Sequence, residues 1–249
     1  MTIAIRQLQK HFVGEVSGLD LRKPLTEAEA REVEAAMDKY AVLVFHDQDI
    51  TDEQQMAFAL NFGQREDARG GNITKADEYR LSSGLNDVSN LGKDGKPLPK
   101  DSRANLFNLG NCLWHSDSSF RPIPAKFSLL SARVVNPKGG NTEFADMRAA
   151  YDALDDDTKA EIDDLICEHS LMYSRGSLGF TEYTDEEKEM FKPVLQRLVR
   201  THPVHRRKSL YLSSHAGKIV GMSVPEGRLL LRDLNEHATQ GEYVYVHKW

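Results

Sequence analysis

The apolar residues of this 249-residue chain never gather into a long block. The run at 41–45 (AVLVF) sets the scale, far short of the roughly 20 residues a membrane span needs. Such a chain has to assemble its core from several short strands and helices brought together as layers. The amino-terminal stretch MTIAIRQLQKHF has no continuous apolar segment of signal-peptide length, which points to a cytoplasmic protein. No repeat, low-complexity tract or Pro/Gly/Ser-rich linker interrupts the chain, so a single domain over 1–249 is expected. The balance of 32 Lys and Arg against 38 Asp and Glu leaves a net charge of −6. That disfavours nucleic acid and anionic membrane surfaces as general partners. The two cysteines, Cys112 and Cys167, exclude a disulfide framework or a Cys-rich zinc site. Cys112 reads as a small buried filler, and Trp114 as a core residue or a pocket wall.

Local signals place the elements. Thr26 with Glu29, and Thr51 with Gln54, are Ser/Thr-x-x-Glu/Gln capping boxes that open two helices. The first carries a stripe of Val33, Met37 and Tyr40; the second carries Met56, Phe58, Leu60 and Phe62. Between them, AVLVF reads as a buried strand. Residues 63–99 are polar and turn-rich, with an Asp94-Gly95 hairpin signal; a long segment of this kind is read as an active-site lid. Residues 127–135 (FSLLSARVV), a Gly139-Gly140 turn and 141–146 (NTEFAD) read as strand, turn, strand. A helix is expected over 147–165, with Ala150, Leu154, Ile162 and Leu165 facing inward and the acids 155–157 as a solvated face or cap. Strands are expected at 209–215 and 243–249, with a helix from Pro225 through GRLLLRDLNEHA between them.

The best chemistry lies at 112–120 (CLWHSDSSF). His115 and Asp117 are two apart, so on an extended backbone both side chains leave the same face. An imidazole and a carboxylate placed so can take adjacent positions on one metal ion, as in the 2-His-1-carboxylate triad of non-haem Fe(II) oxygenases. The tripeptide alone is weak: chance supplies roughly 0.7 His-x-Asp matches in a chain of this composition. From spacing alone, a histidine in a capping role or ion-paired with Asp117 is the better reading. Some 25 residues on, Gly139-Gly140 before a short strand would hold Thr142 with its hydroxyl ready to donate to a carboxylate, although an ordinary hairpin turn explains the glycines too.

The chain resembles the Fe(II)/2-oxoglutarate-dependent dioxygenases of the taurine dioxygenase superfamily over 11–249. The resemblance is carried by GLDLRKPL, AVLVF, ITDEQQMAFALNFG, LWHSDSSF, GGNTEFADMRAAYDAL, LVRTHP and LNEHATQGEYVYVHKW. The longer matches are most similar to the branch that oxidises aryloxyacetates such as 2,4-dichlorophenoxyacetate (2,4-D). The resemblance implies an α+β fold with a double-stranded β-helix (jelly roll) core flanked by helices. It implies that His115 and Asp117 are iron ligands and that Thr142 binds the distal carboxylate of 2-oxoglutarate. His202 and Lys75 would lie on the side of a small anionic substrate. Fe(II), 2-oxoglutarate and O₂ are the implied cofactor and co-substrates, and a homo-oligomer is compatible with the reading.

The implied reaction hydroxylates the ether-linked carbon, giving a phenol and glyoxylate with succinate and CO₂. Same-class action on a taurine-like sulfonate, or on another natural carboxylate, is the second reading. In the family a further strand, a third His ligand and a carboxylate-clamping Arg follow the HKW motif. Of the other histidines, His202, His205, His215 and His247 are the candidates, and none matches that ligand position. The sequence reading therefore expects a chain that lacks its last strands and its third ligand, and a third reading is an inactive jelly-roll fragment.

Overall fold

The computed structural model describes residues 3–67, 71–75, 78–81 and 84–249. Among these residues it is an α+β arrangement in which helices separate four small sheets. At the amino-terminal end, β1 (Ala4–Gln7) pairs antiparallel with β2 (Gly14–Ser17), which pairs parallel with β3 (Leu43–Phe45). The link between β2 and β3 is α1 (Glu27–Tyr40), opened by the Thr26/Glu29 capping box. The Thr51/Gln54 box likewise opens α2 (Asp52–Leu60). These elements bury Val16, Val33, Ile50 and Phe58 together.

The second half builds the larger core. Helices α3 (Arg103–Asn108), α4 (Met147–Asp152), α5 (Asp156–Ile162), α6 (Leu171–Gly176), α7 (Asp185–Met190) and α8 (Val224–Ala238) alternate with short strands. β5 (Ile166–His169) is the centre of a three-stranded antiparallel sheet, flanked by β6 (Val194–Arg197) and β9 (Ala216–Ile219). β7 (Val199–Thr201) pairs with β8 (Lys208–Leu210). β4 (Thr142–Ala145) pairs antiparallel with β10 (Val244–His247). Ala150, Ile162, Cys167, Leu198, Leu210, Ile219, Leu234 and Ala238 share one core. Burial pushes the Cys167 thiol up to about 12, so it packs as an apolar residue.

Three of the expected secondary-structure elements differ in the structure. Residues 127–135 form no strand. Leu130, Val134 and Val135 are exposed there, and among the described residues no neighbour supplies a ladder, without which extended backbone is not held. The helix expected over 147–165 is two helices, because Asp155 accepts from the Thr158 N–H and starts a new one; the cap reading of the acidic run holds. The strand expected at 209–215 ends at Leu210. Beyond it, the backbone and hydroxyl groups of 212–214 bond instead to residues 114–116. The Asp94-Gly95 turn is present: Gly95 has φ 75°, and a Leu91–Pro97 bridge closes it. Among the described residues no helix is long and apolar enough to cross a membrane.

Candidate metal centre

The segment carrying His115 and Asp117 follows α3, which Ser102 caps, and a 3-10 turn over Leu109–Cys112. At Leu113 the backbone becomes extended, with φ −83° and ψ 149°. The extended stretch is short and unladdered, and the chain turns at 117–120. His115 and Asp117 nonetheless leave one face, as their spacing requires. His115 Nδ1 lies 2.7 Å from the Leu113 carbonyl, so this nitrogen carries the proton and donates it. That leaves Nε2, 3.1 Å from Asp117 Oδ1.

β4 brings up the opposite wall. Gly139 and Gly140 have φ 75° and 74°, a left-handed pair that glycine adopts without a Cβ clash. The turn aims Thr142 inward, where Thr142 Oγ1 accepts a 2.9 Å bond from the Trp249 indole Nε1. In the β4–β10 ladder Thr142 stands opposite His247. His115, Asp117, Lys126, Phe127, Ser128 and Thr142 line one cavity of about 330 Å³. Three residues chosen from two separate motifs thus meet at one place.

Electrostatics follow from the pair. Its hydrogen bond to His115 is the main reason the Asp117 carboxyl sits below the usual range; burial opposes this and the Ser128 hydroxyl supports it. The same bond raises His115, against burial and the charge of Arg175. The stability from Asp117 is present above the ordinary carboxylate range and lost as pH falls through its lowered value. That from His115 is present below the ordinary imidazole range and lost as pH rises through its raised value. The pair therefore contributes most between about pH 4 and 6.5. Asp117 is 57% exposed, so solvent screens the pair and keeps its contribution small.

Metal binding has the opposite sign, because a metal takes Nε2 only without its proton. Apparent Mn(II) affinity is expected to fall about tenfold per pH unit below the His115 pKa, with the break above pH 6.5. Equilibrium Mn(II) titrations across that break would show it. A flat profile would remove Nε2 from the ligand set.

The remaining sequence candidates lie elsewhere. His202 lines a neighbouring cavity of about 180 Å³, which shares Lys126 and Phe127 with the first. It stacks on His205 at 3.8 Å and pairs with Asp38 at 3.4 Å. Lys75 is exposed, and its backbone N–H donates to Glu78. Cys112 is exposed, correcting the expectation of a buried filler: the 3-10 turn places it on the outside. Trp114 is half-buried, and its carbonyl accepts from the Ser214 N–H.

Sequence reasoning missed Lys126, Ser128 and Trp249, which no spacing ties to His115. It also left His215 unassigned. That ring is buried, 5.9 Å from the His115 ring, with Nδ1 2.9 Å from Ser174 Oγ. Desolvation, helped by the Arg175 charge, lowers its pKa to about 3. Among the described residues no group of three or more His, Cys, Asp or Glu side chains is placed to hold a metal.

The donor chemistry of the pair fits a transition metal nevertheless. Adjacent donors on a six-coordinate ion, each about 2.1 Å from it, stand about 3.0 Å apart, close to the 3.1 Å observed. The Leu113 bond fixes the tautomer that turns Nε2 outward, a common outer support of metal-bound histidine. An imidazole and a carboxylate stand beside an open cavity with a threonine hydroxyl across it, a donor set that fits two positions of a transition-metal site.

The chain belongs to the taurine catabolism dioxygenase TauD, TfdA family, which matches residues 4–249. It is accordingly an Fe(II)- and 2-oxoglutarate-dependent dioxygenase by family. It is 46% identical to the alpha-ketoglutarate-dependent 2,4-dichlorophenoxyacetate dioxygenase of Burkholderia sp. (strain RASC), over 100% of this chain and 84% of that protein. It is 39% identical to the (S)-phenoxypropionate/alpha-ketoglutarate-dioxygenase of Sphingobium herbicidovorans, over 98% of this chain and 82% of that one. The crystal structure of AAD-2 in complex with Mn(II) and N-oxalylglycine is 91% identical with a TM-score of 0.98, covering 100% of this chain and 86% of that one.

Proposed function

We propose that this protein hydroxylates an aryloxyacetate such as 2,4-D at its ether-linked carbon, with cleavage to a phenol and glyoxylate. 2-Oxoglutarate is consumed alongside and leaves as succinate and CO₂. The observation that carries the reading is the single cavity lined by His115, Asp117 and Thr142, together with the aryloxy acids named for the relatives. His115 Nε2 and the Asp117 carboxylate would hold Fe(II), which when bound supplies the oxidising chemistry.

The protein's part is orientation and charge. Leu113 keeps the His115 proton on Nδ1. The Ser128 hydroxyl beside Asp117 favours the charged form of the carboxylate. Thr142 receives the Trp249 indole proton at its lone pair, which leaves its own O–H to donate to the distal carboxylate of 2-oxoglutarate. We assign His202 and Lys75 to the substrate carboxylate; the Lys126–Phe127 wall common to the two cavities supports His202. The described residues of the 63–99 segment (68–70, 76–77 and 82–83 lie outside them) belong to the lid of the site in this reading. In support, Glu66 pairs with Arg121 just beyond the ligand loop, and a side chain at Gly71 would collide with Phe120. The fold around the site is a jelly roll, as in the family.

The test is succinate formation from 2-oxoglutarate, dependent on both Fe(II) and 2,4-D. Turnover coupled to taurine but not to aryloxyacetates would overturn the substrate and favour a sulfonate. Thr142→Val is expected to raise the KM for 2-oxoglutarate on the order of tenfold, the loss of one hydrogen bond to a charged group. Mn(II) binding should stay within about threefold of the parent, since the His115–Asp117 pair is untouched. An unchanged KM would release Thr142 from this role.

A further inference from the structure

β6 turns one buried residue inward, and that residue is a polar amide. Gln196 is 5% exposed, whereas its neighbour Leu195 is 63% exposed. Burying an amide is unfavourable unless its donors and acceptor are bonded, and here they are. Gln196 Nε2 donates to the Ser119 carbonyl at 3.1 Å and to the Arg121 carbonyl at 2.7 Å. Its Oε1 accepts from Arg200. The Arg200 guanidinium in turn lies 3.5 Å from the centre of the Tyr211 ring.

Both carbonyls belong to the turn that follows Asp117. That turn passes through Ser118 at φ 57°, a left-handed conformation that costs a residue with a Cβ and persists only when its surroundings hold it. The incoming side of the loop is tied separately. Ser116 Oγ donates to the Leu212 carbonyl at 2.7 Å, and the Ser214 N–H donates to Trp114. Leu212 directly follows Tyr211, so Gln196, Arg200, Tyr211 and 212–214 form a frame that grips the ligand segment at both ends.

We propose that Gln196 is a positioning residue for the metal centre: it holds the Ser118 turn so that the Asp117 carboxylate stays in register with His115 Nε2. The inference rests on the reading that these two side chains bind the metal. Gln196 touches neither of them. It acts through the backbone of the loop, two residues beyond the carboxylate. Such outer contacts set ligand orientation, and their loss costs roughly 10–100-fold in metal affinity.

Two variants of the full protein test this. Gln196→Met keeps the length and removes every polar contact. Gln196→Glu keeps the acceptor for Arg200 and withdraws both donors. Each is expected to raise the Mn(II) dissociation constant roughly 10–100-fold, read from the electron paramagnetic resonance of free Mn(II). Amide exchange at Ser119 and Arg121 should quicken, with the midpoint of thermal unfolding moved little in Gln196→Glu. A folded variant with the parent's Mn(II) constant and exchange rates overturns the proposal. So does loss of fold in both, which would make Gln196 a structural residue. If the parent protein itself binds no Mn(II), the metal-site reading fails. The loop clamp is then decided by exchange alone, which needs no metal.

Discussion

Asp117→Ala is expected to abolish 2-oxoglutarate turnover and to weaken Mn(II) binding by more than the roughly 10–100-fold that an outer hydrogen-bond partner accounts for. The loss of a donor outweighs the accompanying fall in the His115 pKa, which by itself eases proton competition for Nε2. The carboxylate donor is removed from one of two adjacent positions, and no other carboxylate, thiol or imidazole among the described residues completes a cluster there. His115 also loses the main cause of its raised pKa and keeps only the Leu113 carbonyl. Stability should change by less than about 1 kcal/mol, because the pair is open to solvent and screened. Asp117→Asn retains the shape without the charge and should behave the same way in metal binding. Titration with Mn(II) beside a denaturant curve separates the two properties. Mn(II) affinity within threefold of the parent would remove Asp117 from the ligand set.

Leu198→Ala is the converse case, a large loss of stability without a direct effect on the site. Leu198 is fully buried at the junction of β6 and β7. Its N–H donates to the Leu165 carbonyl, and its own carbonyl accepts from the Tyr211 N–H. Truncation leaves those bonds and opens a cavity among Ile162, Cys167 and Leu210. The expected cost is about 2–5 kcal/mol. For a chain of this length each kcal/mol lowers the melting temperature by about 2–4 °C. A change below about 1 kcal/mol would show that the core closes around the lost atoms. Mn(II) affinity measured well below the transition should match the parent.

Much of the site was legible because it rests on short-range chemistry. His115 and Asp117 lie two apart, and any extended backbone puts them on one face. Gly139 and Gly140 mark a left-handed turn wherever they stand, and Thr142 follows within two residues. The capping boxes at Thr26 and Thr51 are likewise complete within four residues. The reading failed where a segment's state depends on something distant. Residues 127–135 have a strand's composition, but composition supplies no ladder. Leu212 and its neighbours have a strand's pattern, but their polar groups are engaged by the ligand loop instead. Cys112 reads as a buried residue until the 3-10 turn faces it outward.

The amino-acid sequence by itself determined that His115 and Asp117 leave one face, that Thr142 follows a left-handed glycine turn, and the family with its class of reaction, since each is carried by residues a few positions apart. Tertiary structure alone decided that the two motifs share one cavity, that Ser128 and Lys126 join them, and that His202 lines the cavity next door. It also decided that Gln196, 79 positions from Asp117 in the numbering, grips the turn beside it. The physical reason is separation along the chain. Backbone geometry propagates over a few residues, whereas a cavity wall is assembled by strand pairing and burial between segments whose distance in sequence says nothing of their distance in space.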